Sequence, residues 1–109
     1  MPGVAATTAL TVLVDDGEGT VTWLLTCDPV GGDHPEAEAA CRALDRSGAK
    51  ALPPVPRGRL CTQVFQGPEV ASISGTWKGQ RVDSRFNLRN GCEVGRWKAL
   101  TGLLPAIGG

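Results

Sequence analysis

The clearest order along this chain is an alternation of apolar and polar positions. In Leu10-Thr11-Val12-Leu13-Val14, residues Leu10, Val12 and Val14 share one face of an extended chain and Leu13 the other. Asp15-Asp16-Gly17-Glu18-Gly19 interrupts this run with turn chemistry. Thr20-Val21-Thr22-Trp23-Leu24-Leu25-Thr26 then resumes it, with Val21, Trp23 and Leu25 on one face and Leu24 opposite. Two such runs around a glycine-rich break predict a β-hairpin. A sheet with a wet back would not place Leu13 and Leu24 there, so that face is expected to meet cover or a second subunit. Val70–Trp77 predicts a third strand, and Lys78-Gly79-Gln80 a tight turn. In Gln80–Leu88, Val82, Phe86 and Leu88 point inward while Arg81, Asp83 and Arg85 point outward, which is the pattern of a half-buried strand.

The period changes after Asp33. Asp33 and Glu36 have the spacing of a capping box, and Pro35 is tolerated in a first turn. Ala37, Ala40, Cys41 and Leu44 follow helical spacing, and Gly48 is the expected stop. His34 is assigned to the helix start rather than to ligation or general-base work, because no Ser or Cys partner stands out. Residues 49–59 read as loop or a weak short helix. Asn90-Gly91 reads as a turn before Cys92. The tail from Glu93 carries Trp97, Leu100, Leu103, Leu104 and Ile107 amid Gly and Pro, and it fits either a last strand or a frayed end. The sum is an antiparallel sheet with a helix, an α+β domain.

A chain of 109 residues fits one domain, here 1–109, with 1–8 and 96–109 expected to be the looser ends. Eleven basic and eleven acidic side chains balance, so charge gives no reason to expect nucleic acid as a partner. No apolar run approaches the roughly 18 residues of a membrane helix. The opening Met1-Pro2-Gly3-Val4-Ala5-Ala6 has neither the basic nor the apolar part of a signal peptide, and it reads as the start of a mature exported domain. Cys27, Cys41, Cys61 and Cys92 are even in number, which suggests two disulfides among three possible pairings. Zinc is the competing use, but the nearest two are fourteen apart and His34 is the only histidine. Two bridges imply an oxidising, extracellular compartment.

One stretch stands apart. Leu60-Cys61-Thr62-Gln63-Val64-Phe65-Gln66-Gly67-Pro68 is uncharged and follows Pro53-Pro54-Val55-Pro56 and Arg57-Gly58-Arg59. Proline fixes its own φ and pushes the preceding residue toward extended conformations. The stretch reads as an exposed loop pinned at Cys61, the kind of segment on which binding function sits. The plain alternative is a strand with Val64 and Phe65 in the core. Nucleophile elbows, zinc-protease helices and phosphate-binding loops are absent from the sequence. Asp15 and Asp16 are read as solvated turn residues, not a catalytic pair.

These pieces together resemble the Streptomyces subtilisin inhibitor family. The matching residues are Leu10-Thr11-Val12, Thr26-Cys27, His34-Pro35, Cys41-Arg42-Ala43-Leu44 and Cys61-x-x-Val64. They continue with Pro68, Trp77-Lys78-Gly79-Gln80-Arg81-Val82 and Phe86-Asn87-x-x-Asn90-x-Cys92. The resemblance implies the pairing Cys27–Cys41 and Cys61–Cys92. It implies a five-stranded antiparallel sheet with one long and one short helix on one face, and a homodimer through the face that carries Leu13 and Leu24. It places the reactive bond at Gln63–Val64. Leu60, Cys61, Thr62, Phe65 and Gln66 are then protease-contacting residues, with Asn90 and Pro68 as loop support. Gln63 stands where the family more usually has Met or Lys, Gln66-Gly67 resembles a one-residue insertion, and the tail lacks the family's aromatic pair.

The function so implied is that of a secreted inhibitor of subtilisin-like serine proteases, not an enzyme, with no cofactor and no metal. An uncharged Gln63 argues against trypsin-like targets, whose pocket holds a buried aspartate. Two other readings stay beside it. Val64-Phe65 could engage an extracellular zinc metalloprotease, as some members of the family do. Gln63 or Gln66 could serve as acyl donor to an extracellular transglutaminase. A carrier of an apolar ligand would need a concave pocket, of which the sequence gives no sign.

Overall fold

The computed structural model describes residues 7–107. Seven elements follow one another: β1 (Thr8–Asp15), β2 (Thr20–Cys27), β3 (Gly31–Gly32), α1 (Ala37–Ala51), β4 (Val70–Trp77), β5 (Gln80–Asn87) and α2 (Gly91–Ala99). The strands form one antiparallel sheet in the order β3-β2-β1-β4-β5. The expected five-stranded α+β architecture with two helices is therefore present. β1 lies at the centre, pairing Leu10 with Leu25 on one side and Val12 with Ile73 on the other.

Alternation gave the strands their faces. Leu10, Val12, Val14, Leu25, Ala71, Ile73 and Phe86 are buried on the inner face and join one core with Ala40, Cys41 and Leu44 of α1 and Val94 and Trp97 of α2. The outer face keeps Leu13 half-buried and leaves Leu24 56% exposed. The β4–β5 turn is two residues long, with φ of 51° at Lys78 and 80° at Gly79. Left-handed backbone at both positions matches the twist of a hairpin.

Four local expectations are corrected. The Asp33–Glu36 capping box does not form. The Asp33 carboxylate instead accepts the Leu24 N–H at 2.6 Å, which ties down the end of β3, and Glu36 is the N-cap without a side-chain cap bond. The buried His34 accepts the Glu36 N–H on Nδ1 at 3.0 Å and meets the Leu103 carbonyl through Nε2 at 2.8 Å. It thus joins the helix start to the tail.

Gly48 does not stop α1. A Cβ there would lie 2.7 Å from the Trp77 ring, so this glycine is where the helix slides under that indole. The helix runs on to Ala51, and the first residues read as loop belong to it.

Asn90-Gly91 is not a simple turn but the start of α2, with the Asn90 side chain accepting the Glu93 N–H at 3.0 Å. The tail forms neither a strand nor a fray over its described part. Trp97, Leu100, Leu103 and Leu104 are all buried, and Trp97 Nε1 donates to the Pro105 carbonyl at 2.7 Å. Of the ends expected to be loose, residues 1–6 and 108–109 lie outside the described residues, and Thr8 is buried at the start of β1.

Candidate functional site

Between α1 and β4 the chain runs from Leu52 to Glu69 without helix or strand. Proline removes backbone donors here and the segment adds no strand to the sheet, so it lies on the surface. Leu60 is 96% exposed, Phe65 65% and Val64 41%. Thr62, Gln63 and Gln66 are exposed as well. Val64 and Phe65 are therefore not core residues, and the strand alternative is excluded.

The loop is exposed yet tethered. Cys61 is bonded to Cys92 in the first turn of α2, with Cα atoms 5.4 Å apart. The next carbonyl, that of Thr62, accepts the Gly91 N–H at 2.9 Å. Downstream, the Gln66 N–H donates to the Leu88 carbonyl at 2.7 Å. Gln63, Val64 and Phe65 span the interval between these two hydrogen bonds. The segment is thus clamped on either side of Gln63–Val64, with the clamped bond itself facing solvent.

Gly91 was read from the sequence only as part of a turn, yet its N–H makes one of the two hydrogen bonds of the clamp. A Cβ on Gly91 would collide with the Thr62 hydroxyl, so glycine here lets Thr62 lie against the helix start as it does. Asn90, assigned to loop support, makes its side-chain hydrogen bond to the Glu93 N–H, capping the helix that supplies Gly91 and Cys92. Pro68 is exposed and leans toward the β1–β2 turn, 3.5 Å from where a Cβ on Gly17 would be.

Beneath the clamp lies a second residue that sequence reasoning missed. Arg96 is buried, and its Nε donates to the Ala51 carbonyl at 2.9 Å. One terminal nitrogen donates to the Arg85 carbonyl at 3.0 Å and to Glu93 Oε1 at 2.8 Å, and the other to the Leu52 carbonyl at 3.2 Å. Its guanidinium lies 4.3 Å from the Phe86 ring centroid. One cation thus satisfies the carbonyl end of α1, a strand of the sheet and the first turn of α2.

The other disulfide, Cys27–Cys41, joins β2 to α1 and completes the expected pairing. No group of three or more His, Cys, Asp or Glu side chains able to hold a metal occurs among the described residues. A concavity of about 540 Å³ is lined by Ser74, Gly75, Thr76, Arg81 and Asp83, too polar a lining for an apolar cargo.

A family profile described as subtilisin inhibitor-like matches residues 5–90. The chain is 43% identical over 74 residues to Subtilisin inhibitor-like protein 1 of Streptomyces cacaoi, covering 64% of this chain and 66% of that one, just under two thirds of the relative's length. It is 33% identical over 96 residues to Subtilisin inhibitor-like protein 2 of Streptomyces rochei, covering 80% and 83% of the two chains. Among solved structures, it is similar in fold to sermetstatin of Streptomyces caespitosus, solved in complex with Bacillus licheniformis subtilisin. That similarity has a TM-score of 0.57 and 22% identity and covers 90% of this chain and 97% of the other.

Proposed function

This chain belongs to the subtilisin inhibitor-like family, and from that premise we propose that it inhibits subtilisin-like serine proteases through Leu60–Gln66, with Gln63–Val64 as the reactive bond. The observation that carries the reading is the clamp: an exposed peptide bond with a tether on each side. A loop already held in one conformation loses little entropy on docking. The protease serine attacks the Gln63 carbonyl carbon, and the oxyanion is met by the enzyme's own donors. The C–N bond then breaks and Val64 becomes the leaving amine. In an ordinary substrate that amine diffuses away. Here Gln66 is tied to Leu88, and Thr62 and Cys61 are tied to α2, so the amine stays beside the acyl carbon and the bond re-forms. Closing the 31-residue Cys61–Cys92 loop contributes about 3.5–4 kcal/mol to the fold in the chain-entropy picture.

Gln63 fills the primary pocket in this reading, and Leu60 the apolar fourth one. Tight-binding titration of subtilisin should reach an end point at one reactive loop per enzyme. Gln63→Lys should add trypsin inhibition with unchanged thermal stability. No inhibition of subtilisin at micromolar concentration would remove the proposal, and unfolding of Gln63→Lys would show that Gln63 is not a surface residue in solution.

The same reading pairs two copies through the sheet face that carries Leu13 and Leu24, because helices occupy only the opposite face. It places the protein outside the cell, where two disulfides persist. The exposure of Phe65 also favours a second target, a zinc metalloprotease reading the residues after Gln63. Competition between subtilisin and such an enzyme for one inhibitor would show whether the two use one loop.

A further inference from the structure

We propose that the bond Arg59–Leu60 is a processing site at which an arginine-specific, trypsin-like serine protease switches this inhibitor off. The switch rests on the inhibitory reading above; the cleavage does not.

A protease needs a basic side chain on a stretch that can be drawn out into an extended strand. Of the eleven basic residues, all but Arg57, Arg59 and Arg89 lie in helices, in strands or in the two-residue β4–β5 turn. Arg89 sits between Leu88 and Asn90, where its own N–H donates to the Asn87 side chain at 2.9 Å. Arg57 lies inside a tight turn closed by the Arg59 N–H and the Pro56 carbonyl at 3.2 Å, with Gly58 at φ 82°. The Arg57–Gly58 bond cannot extend without opening that turn. Arg59–Leu60 lies just past it. Arg59 is exposed, and Leu60, at 96%, is the most exposed large apolar residue among the described residues. The guanidinium of Arg59 matches the buried aspartate of a trypsin-like pocket.

The cut is ordinary hydrolysis. The enzyme's serine takes the Arg59 acyl group and Leu60 leaves as an amine that receives the proton from the catalytic histidine. Water then releases the Arg59 carboxylate. What differs from Gln63–Val64 is the tethering. Downstream, Leu60 is held close by Cys61. Upstream, Arg59 hangs on residues 53–59, whose one hydrogen bond is local to the turn. The new ends separate, so this bond behaves as a substrate and not as an inhibitor.

The disulfide map makes the outcome asymmetric. Cys27–Cys41 lies wholly before Arg59 and Cys61–Cys92 wholly after it. Cleavage at Gln63–Val64 falls inside the second bridge and leaves one covalent molecule. Cleavage at Arg59–Leu60 leaves two, one with β1, β2, β3 and α1 and the other with β4, β5 and α2. The β1–β4 ladder, the shared core and cross-fragment hydrogen bonds such as Arg96 to the Ala51 and Leu52 carbonyls and His34 to the Leu103 carbonyl then join them without a covalent link, and on dilution each half loses the other's apolar cover.

The test treats the intact protein with catalytic amounts of trypsin. Non-reducing electrophoresis, N-terminal sequencing and subtilisin titration at nanomolar and at micromolar concentration follow. The expected result is a new N-terminus at Leu60 and two bands without reductant. Subtilisin inhibition should fall at least tenfold at nanomolar concentration and be largely kept at micromolar. Arg59→Gln should resist the cut and Arg57→Gln should not. Cleavage first at another bond, stoichiometric trypsin inhibition in place of cleavage, or full nanomolar inhibition after complete cutting at Leu60 would each overturn the proposal. A protein that is cut at Leu60 but never inhibited subtilisin before cutting would overturn the inhibitory reading and with it the switch, while leaving the processing site in place.

Discussion

Replacing Arg96 with methionine removes one cation and strands four acceptors. Glu93 loses its ion pair, in which the Arg96 and Glu93 side chains are only 9% and 16% exposed. The Ala51, Leu52 and Arg85 carbonyls each lose a donor. Breaking a buried pair from one side costs about 3–5 kcal/mol. An orphaned buried carbonyl costs about 1–3 kcal/mol, less where water reaches it at a helix end. Methionine keeps much of the packing on Phe86, so hydrophobic loss is small. The expected destabilisation is about 3–5 kcal/mol, against a total of roughly 5–15 kcal/mol for a domain of this size. In urea, with a slope near ~1.5 kcal/mol per molar, the midpoint should fall by about 2–3 M. The double variant Arg96→Met/Glu93→Gln should recover part of the loss, because no uncompensated carboxylate remains. A midpoint shift below about 0.5 M, or a double variant worse than the single by the full cost of Glu93→Gln alone, would refute the reasoning that this cation organises the base of the loop.

Gly91→Ala should weaken subtilisin inhibition tenfold or more while moving the thermal midpoint by only a few degrees (about 1 kcal/mol), since it pushes Thr62 off the helix start; Thr62→Ala in the same chain should restore part of the inhibition. Leu24→Asp should shift the protein toward monomer in sedimentation with inhibition kept, because Leu24 lies on the open sheet face away from the loop. The Asp16 carboxylate accepts the Glu18 and Gly19 N–H groups, both at 2.8 Å, and the Glu18 bond is the largest of the effects that hold its pKa below the usual value. A lowered folded pKa means that this small stabilisation is present above the unfolded value near ~3.9 and is lost as pH falls through the folded one. Asp16→Asn should therefore flatten the acid limb of the stability curve in that window and lower stability slightly at neutral pH, where the carboxylate's contribution is complete.

What could be read in advance follows from where the information is local. β4 was legible to the residue and β5 to within one residue at its end, because alternation and a Lys-Gly turn are short-range signals. β3 is two glycines, whose pairing is fixed by Asp33 reaching Leu24 and by nothing in its own side chains. The end of α1 was misplaced because Gly48 signals a stop, while the Trp77 ring that uses the glycine comes 29 residues later. α2 was hidden for the same kind of reason. Gly91 and Gly95 lower its intrinsic propensity, and it is held by Arg96 and by the burial of Trp97. The loop itself was visible from its prolines, its lack of charge and its cysteine. Its clamp was not, because Gly91 acts through a close approach that sequence does not display.

The sheet order carries one more consequence, in the time domain. β1 comes first among the described strands and is the central one in the sheet, and its later partner is β4, with Leu10 opposite Gly75. Until residue 77 exists, β1 has one neighbour and a bare edge, and the helix α2 that holds the loop comes later still. Closing so long a span is slow compared with forming the β1–β2 hairpin. The clamped loop therefore takes its shape late in folding, once β4, β5 and α2 have formed and Leu88, Gly91 and Cys92 are in place.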